Sequence, residues 1–164
     1  VKAGVALDLA NGDDVADSVA QMLESLGDDA AALVVQEMTT PGFDVRVRCE
    51  HDDRLGVTVS VGLGGVHADV INDRATRIAP LSHTGAMNMI GDTKVAAALA
   101  NASIENHALV DLIVKAALLA SDHPGIVELD LNPVIVTSVS AVVTDVKVVV
   151  RHHHHDDWPI RRLN

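Results

Sequence analysis

The sequence predicts a single domain of the α/β or α+β class, in which helices pack on a mixed sheet. The chain has 164 residues, 48% of them hydrophobic, which is enough to bury the core of one globular domain. Two valine-rich segments alternate between apolar and polar residues, a pattern typical of half-buried strands. A long stretch between residues 82 and 122 instead repeats its apolar residues at helical spacing. Strands on both sides of a helical stretch indicate a sheet that carries helices.

The N-terminal part of the chain is predicted to form a strand, a helix and a second strand. Residues 5–9 are a short apolar run. Asp13 and Asp14 open the helix, where their charges complement the helix dipole, and Gly27 is a suitable stop at its C-terminus. The apolar residues 32–38 predict a strand that runs into a proline–glycine turn.

A β-hairpin is predicted in the middle of the chain. Val45, Val47 and Cys49 alternate with Arg46 and Arg48, so the apolar and the basic side chains lie on opposite faces of a strand. A second alternating segment follows a short polar stretch, as in a hairpin. The segments predicted as strands in this part are residues 44–50, 57–61, 66–71 and 76–79.

The C-terminal half is predicted to contain the helices and two more strands. The clearest helical face lies between Leu109 and Leu119, and the helix stops before Pro124. Strands are predicted for residues 126–137 and 141–150. The domain therefore spans residues 1–150, and residues 151–164 form a polar, histidine-rich tail that is assigned to no element. Because the chain opens directly in an apolar run, we expect it to be the C-terminal portion of a domain whose first part is absent.

Composition excludes several functions. The net charge of −11 disfavours duplex nucleic acid and anionic membrane surfaces as partners, and with 1% aromatic residues the chain has few platforms for stacking bases. No apolar run approaches the roughly 20 residues of a membrane helix. The single cysteine, Cys49, excludes an intrachain disulfide and fits a reducing compartment, so we expect a cytoplasmic protein.

A candidate metal site lies near the C-terminus. Glu128, Asp130 and Asn132 occupy alternate positions and therefore share one face of the predicted strand. If this strand pairs with the next one, Asp145 can join Asp130 and Asn132 in a set of oxygen ligands. Mg²⁺ takes such ligands together with water and phosphate oxygens. The alternative is a sheet edge with a solvated polar face.

Two weaker motifs remain. The glycine-rich residues 62–65 follow a strand, where glycines allow close approach of a phosphate or simply form a bulge. The segment is neither a complete dinucleotide fingerprint nor a P-loop. Among the nine histidines, the run from His152 to His155 is an alternative, transition-metal site. The other histidines show no ligand spacing.

The order of these motifs resembles the ATP-grasp domain of NDP-forming (ADP-forming) acyl-CoA synthetases. In some bacterial proteins this domain is fused to a GNAT acetyltransferase domain. The resemblance covers roughly residues 1–150, and its most specific part is the Glu-Leu-Asp-Leu-Asn-Pro segment followed by an aspartate. It is carried by residues 33–38, 41–44, 62–65, 77–81 and 128–133, and by Asp145.

The resemblance implies a nucleotide site with Mg²⁺ and ATP or ADP as ligands, and coenzyme A as a substrate of the full-length protein. The adenine would contact the hinge residues Gln36, Glu37 and Met38, and the ribose would lie near Asp44. The phosphates would lie close to Gly64 and Gly65, with Arg77 as a further contact. The metal would be held by Asn132 and Asp145, with Asp130 beside them.

The chain also departs from the family pattern. A segment with a catalytic His and a phosphate-binding Lys would precede residue 1, and Asp44 and Asp69 stand where the family usually has Glu. A Gly-aromatic-Arg-Gly motif is replaced around Gly91 by Gly-Asp-Thr-Lys. The first hypothesis is therefore a Mg-nucleotide-binding lobe that is inactive alone and works with the missing lobe or domains. The alternative is a degenerate ATP-grasp domain that serves as a regulatory or dimerisation module, for example in a homodimer.

Overall fold

The computed structural model describes residues 4–27, 32–65, 71 and 73–151. The chain divides into two compact units, Val1–Thr40 and Pro41–Asn164. The tail with its histidine run, Asp69 and most of the strand predicted at 66–71 lie outside the described residues. The last residue of that predicted strand, Ile71, is helical, so the prediction is wrong at this position.

The first unit contains one helix, α1 (Gly12–Leu26). The Asn11 side chain caps it by accepting hydrogen bonds from the backbone N–H groups of Asp13 (2.9 Å) and Asp14 (3.0 Å). Gly27 ends the helix with a positive φ of 56°, as the sequence predicts.

The two strands predicted in the first unit are wrong. Residues 5–9 and 33–38 have no regular secondary structure, and none of the described strand pairings includes them. A strand exists only where its backbone groups pair with a second strand. Apolar β-forming composition by itself does not supply that partner.

The second unit is a sheet covered by helices. Its strand order is β3-β2-β1-β4-β5, and β6 also pairs with β4. Every pairing among the described strands is antiparallel. The elements, in chain order, are β1 (Phe43–Asp52), β2 (Gly56–Leu63), β3 (Arg74–Ile78), α2 (His83–Gly91), α3 (Lys94–Asn101), α4 (His107–Asp122), β4 (Ile126–Val136), β5 (Ala141–Val143) and β6 (Val146–Val150).

One face of the sheet is apolar and packs against α2, α3 and α4. The alternation of β1 and β2 directs their valines and Cys49 to this face, as predicted. The Ser82 side chain caps α2 by accepting from the Gly85 N–H (3.1 Å). The largest fully buried side chains of this core are Met89, Ile90, Leu99, Leu109, Ile113, Val45, Val47, Val59, Val61, Val95, Val110 and Val134.

The opposite face is polar, and it carries the candidate site. Arg46 and Arg48 of β1 lie on this face because the residues between and beside them are buried against the helices. Across the β1–β4 pair they meet Glu128 and Asp130. The predicted α+β class is thus confirmed, and the polar face is available for chemistry.

Candidate functional site

An irregularity in the β1–β4 pair forms the centre of the site. The register shifts between Val45 and Val47. As a result, two residues of β4, Asn132 and Pro133, lie opposite the single residue Arg46. Such a bulge turns side chains away from the regular alternation, and bulges are common next to functional sites.

The chain segment that pairs with the other edge of β4, formed by β5 and β6, is interrupted beside the bulge. Between β5 and β6, Thr144 and Asp145 continue the chain without strand geometry. The backbone N–H of Asn132 donates to the Asp145 carbonyl (3.3 Å), and the N–H of Thr144 donates to the Pro133 carbonyl (3.1 Å). The structure therefore brings the backbones of Asn132, on β4, and Asp145, in the break between β5 and β6, side by side.

The loop after β2 packs against this bulge. The Gly65 N–H donates to the Asn132 Oδ1 (2.9 Å), and the Gly64 N–H donates to the Asp44 carbonyl (2.9 Å). A Cβ atom on Gly64 would lie 2.6 Å from the Val45 carbonyl carbon, and one on Gly65 would lie 2.8 Å from the Asp44 Oδ2. Both glycines are needed for this close packing, which collects Asp44, Gly65 and Asn132 in one place.

Asp130 is the buried acid of the site. It is 8% exposed, and Arg46 binds both of its carboxylate oxygens. The Nε of Arg46 donates to Oδ1 (2.9 Å) and its Nη2 donates to Oδ2 (2.5 Å). This bidentate geometry is the strongest type of arginine–carboxylate contact.

The polar face continues away from the bulge as a row of charges. Arg48 contacts Glu50 (3.0 Å) and Glu128 (3.4 Å), and Lys147 contacts Glu128 (3.1 Å). The first pair lies within β1 and the other two join neighbouring strands, and none of them includes a predicted metal ligand. They correspond to the solvated polar face that the sequence left as an alternative.

The oxygens beside the bulge suit a Mg²⁺ ion. Asp145 is exposed, and its carboxylate has no hydrogen bond or ion pair with any other residue that the structure describes. The Asn132 Oδ1 uses one of its two lone pairs on Gly65. In the described ranges no three His, Cys, Asp or Glu side chains form a metal cluster. One free carboxylate and one amide oxygen fit an ion that completes its shell with water and phosphate oxygens.

Arg77 is not brought to this cluster. It lies opposite Val59 in the β2–β3 pair, and Val59 is buried against the helices. Its guanidinium makes an ion pair with Asp92 at the end of α2. It therefore lies on the face of the sheet opposite to Arg46 and Asp130.

The predicted hinge residues Gln36, Glu37 and Met38 belong to the first unit. They line a cavity of about 420 Å³, together with Val15 and other residues of α1. All of the residues that line this cavity belong to the first unit.

Arg46 is the residue that the sequence reasoning left out of the site. Strict alternation already placed its side chain on the polar face, the face also predicted for Asp130. This alternation was the signal from which the position of Arg46 beside Asp130 could have been predicted. It does not reveal that β1 pairs with β4, a strand about 80 residues later in the chain.

Comparison with known proteins identifies the family of this α+β domain. Residues 2–150 match the profile of the family described as the ATP-grasp domain. Because this match covers nearly the whole chain, the chain belongs to the ATP-grasp domain family.

Its curated relatives are ligases. The chain is 32% identical over 126 residues to subunit beta of an ADP-forming acetate–CoA ligase I of Pyrococcus furiosus, which covers 74% of this chain and 54% of that subunit. It is 31% identical over 163 residues to an ADP-forming acetate–CoA ligase II of Archaeoglobus fulgidus, covering 98% of this chain and 24% of that protein. The chain thus spans about half the length, or less, of these relatives.

Solved structures agree with this assignment. An ACD1 structure of Ca. Korarchaeum cryptofilum in complex with coenzyme A matches with a TM-score of 0.81 and 28% identity, over 89% of this chain and 67% of that one. An acetyl-coenzyme A synthetase 1 structure of the same organism, with coenzyme A and Mg-AMPPCP, matches with a TM-score of 0.78 and 28% identity, over 90% and 68%. The predicted family and the predicted α+β class are confirmed, whereas the sheet, predicted as mixed, is antiparallel in every described pairing. Within the described residues no helix is long and apolar enough to cross a bilayer.

Proposed function

We propose that this chain is the Mg-nucleotide-binding part of an ADP-forming acyl-CoA synthetase. The observation that carries the proposal is the adjacency of Asn132 and Asp145 at the β4 bulge, with the Asp145 carboxylate free of other described partners. The relatives support it, since they are named ADP-forming ligases and the neighbouring structure contains Mg-AMPPCP.

In this proposal Asn132 and Asp145 bind the metal through their side-chain oxygens. The Gly65 N–H donates to the Asn132 Oδ1 and so holds the amide in one orientation. When bound, Mg²⁺ neutralises charge on the nucleotide phosphates. Gly64 and Gly65 would lie close to these phosphates, and their lack of side chains lets the loop pack against Asp44 and Val45 beside the site.

We propose separate contacts for the base and for the ribose of the nucleoside. Gln36, Glu37 and Met38 line an apolar cavity large enough for a purine ring, so we propose that adenine contacts their backbone. Asp44 has an exposed carboxylate that can accept a ribose hydroxyl. Arg77 is not part of the proposed site because it is paired with Asp92 on the helix-covered face.

The whole protein would use this site to form an acyl phosphate, which coenzyme A then converts to a thioester. We propose that the chain needs the rest of a longer protein for turnover and that it works in the cytoplasm. An acetyltransferase fusion and a homodimer stay predictions. The alternative regulatory module gains no support from the relatives, whose names are those of ligases and synthetases.

Calorimetric titration of ADP and ATP, with and without Mg²⁺, tests the proposal on this chain. We expect binding that requires Mg²⁺ and that weakens about tenfold or more in Asp145→Ala, because a metal ligand is lost. Asp122→Ala is the matched control, since it removes an exposed carboxylate at the end of α4 and should leave affinity unchanged. Failure of the folded wild-type chain to bind either nucleotide would overturn the proposal.

A further inference from the structure

An apolar groove lies beside α4 on the helix-covered face of the sheet, where β6 ends the sheet. Its volume is about 620 Å³. Val146 and Val148 share this face because they lie opposite Leu131 and Leu129, whose side chains are buried. Most of the lining residues are apolar, among them Leu112, Leu119, Leu129, Leu131, Val146 and Val148. The helices therefore leave part of the apolar face of the sheet uncovered.

β6 is also an open edge of the sheet. It pairs with β4 on one side, and none of the described strands pairs with its other side. All five of its residues are exposed, and four of them are valines. Natural edge strands are usually protected by charge, by proline or by a bulge. β6 has a single charged residue, Lys147, which is already bound to Glu128 (3.1 Å). It is therefore suited to pair with a further strand.

We propose that a second copy of this chain covers the groove by pairing its β6 with β6 of the first copy, antiparallel and around a two-fold axis. Such a contact is self-complementary, because each copy offers the same surface. The axis is perpendicular to the sheet, so the helix-covered faces of both copies lie on the same side. The two sheets then form one continuous sheet in which neither β6 is an edge.

Charge selects one register for this pairing. Residues that face each other in an antiparallel pair point to the same side of the sheet, so the register can shift only in steps that keep the faces together. With Val148 on the axis, Lys147 faces the partner's Val149 and no two charges meet. A shift in one direction would place Lys147 opposite the partner's Lys147. A shift in the other direction would place it opposite the partner's Arg151, and like charges directly opposite are destabilising.

The distribution of charge also favours β6 over other surfaces for self-association. The net charge of −11 opposes contact between two copies in general. β6 contains no acid, and the neighbouring Glu128 is paired with Arg48 and Lys147. The groove itself contains one acid and one base, Asp111 and Lys115, which lie one turn apart on α4. The two copies therefore meet where little net charge has to be brought together.

The experiment measures the mass of the full chain in solution by sedimentation at increasing concentration. EDTA is present so that the histidine run cannot join two copies through a metal ion. We expect a dimer, with twice the 17.2 kDa of one chain. Val148→Lys and Val148→Glu should each weaken the dimer about tenfold or more, because each places two like charges opposite one another at the axis. An equal mixture of the two variants should regain the dimer, since a lysine then faces a glutamate.

Val139→Lys is the matched control, because Val139 is 87% exposed in the turn before β5 and lies outside the proposed contact. It should leave the dimer unchanged. If Val148→Lys does not fold, Val149→Lys replaces it, since the new charge would face the partner's Lys147.

Three results would overturn the inference. A wild-type chain that stays monomeric at every concentration would show that a second copy does not cover the groove. A dimer that persists in Val148→Lys would place the contact on another surface. Failure of the mixed variants to associate would show that Val148 does not face the partner's Val148. Because nucleotide binding is measured separately, none of these results bears on the proposed function.

Discussion

The two ends of the β1–β4 pair differ in regularity, and the difference shows how one sheet serves both stability and function. At the hairpin end, defined by Cys49–Asp52, Gly56–Val59 and Glu128–Leu129, each residue faces a partner in unbroken register. At the site end, defined by Asp44–Arg46, Gly64–Gly65 and Asn132–Pro133, the β1–β4 register shifts.

At the hairpin end, charged side chains pair with one another. Arg48 forms ion pairs with Glu50 on its own strand and with Glu128 on β4. At the site end the additional residue in β4 and the break before β6 leave the Asp145 carboxylate without a described partner and direct Asn132 toward the glycine loop. Regular pairing satisfies the backbone polar groups within the sheet, whereas a local irregularity leaves some side-chain oxygens for a ligand.

The largest expected difference in stability between the two ends comes from replacing a glycine by alanine. Gly64→Ala should lower the free energy of unfolding by about 3 kcal/mol, because the new Cβ would lie 2.6 Å from the Val45 backbone. Gly56→Ala at the hairpin end should cost about 1 kcal/mol, since only its positive φ of 79° opposes a side chain and nothing lies within 4 Å. Urea denaturation of both variants measures the difference. Equal losses would contradict the close packing of the glycine loop on β1.

Removing a hydrogen-bonding side chain should lower the free energy of unfolding more at the site end than at the hairpin end. Asn132→Ala leaves the Gly65 N–H without its acceptor and should cost about 2 kcal/mol. Thr58→Ala removes only the hydrogen bond from its hydroxyl to the Glu50 carbonyl (3.2 Å), and we expect a loss of about 0.5 kcal/mol. Chemical denaturation again provides the measurement, and a larger loss for Thr58→Ala would refute this ranking.

The buried thiol of Cys49, at the hairpin end, should make the free energy of unfolding depend on pH in the alkaline range. Burial raises the pKa of Cys49 to about 12. The unfolded chain has an ordinary thiol pKa of about 8.5, so the stabilisation is complete below that pH and is lost as the pH rises toward the folded value. Above about pH 8.5 the wild type should lose up to about 1.4 kcal/mol per pH unit relative to Cys49→Ala. Parallel stability curves for the two proteins would show that the thiol titrates alike in both states.

The smallest effect is expected in the hairpin turn. The backbone N–H groups of Leu55 (2.9 Å) and Arg54 (2.8 Å) donate to the Asp52 carboxylate and lower its pKa. A lowered pKa contributes stability above the ordinary value of about 3.9, and this contribution is lost as the pH falls below it. Acid unfolding should therefore begin at higher pH in Asp52→Ala. Asp122→Ala, which removes an exposed carboxylate with no described partner, is the control, and an identical shift in both variants would argue against these hydrogen bonds.

Local pattern predicted most of the second unit. The strict alternation around Val45 and Val59 identified β1 and β2 with their buried faces, and helical periodicity identified the helices around Ile113. The pairing of the last strands, and with it the neighbourhood of Asn132 and Asp145, also agrees with the prediction. In the first unit the same composition argument failed for residues 5–9 and 32–38, because a strand requires a partner and neither segment pairs in a described ladder.

The sequence by itself determined which side chains of β1 and β2 share a face and where α1 and α4 end, but not that residues 82–122 form three helices. Those properties depend on neighbours a few residues apart, such as the cap formed by Asn11 or the alternation of valines. Only the tertiary structure decided that Arg46, rather than the register partner Arg48, holds Asp130, and that Arg77 lies on the other face. Register is a long-range property, because one additional residue in β4 changes every partner beyond it, and no local pattern in β1 records that residue.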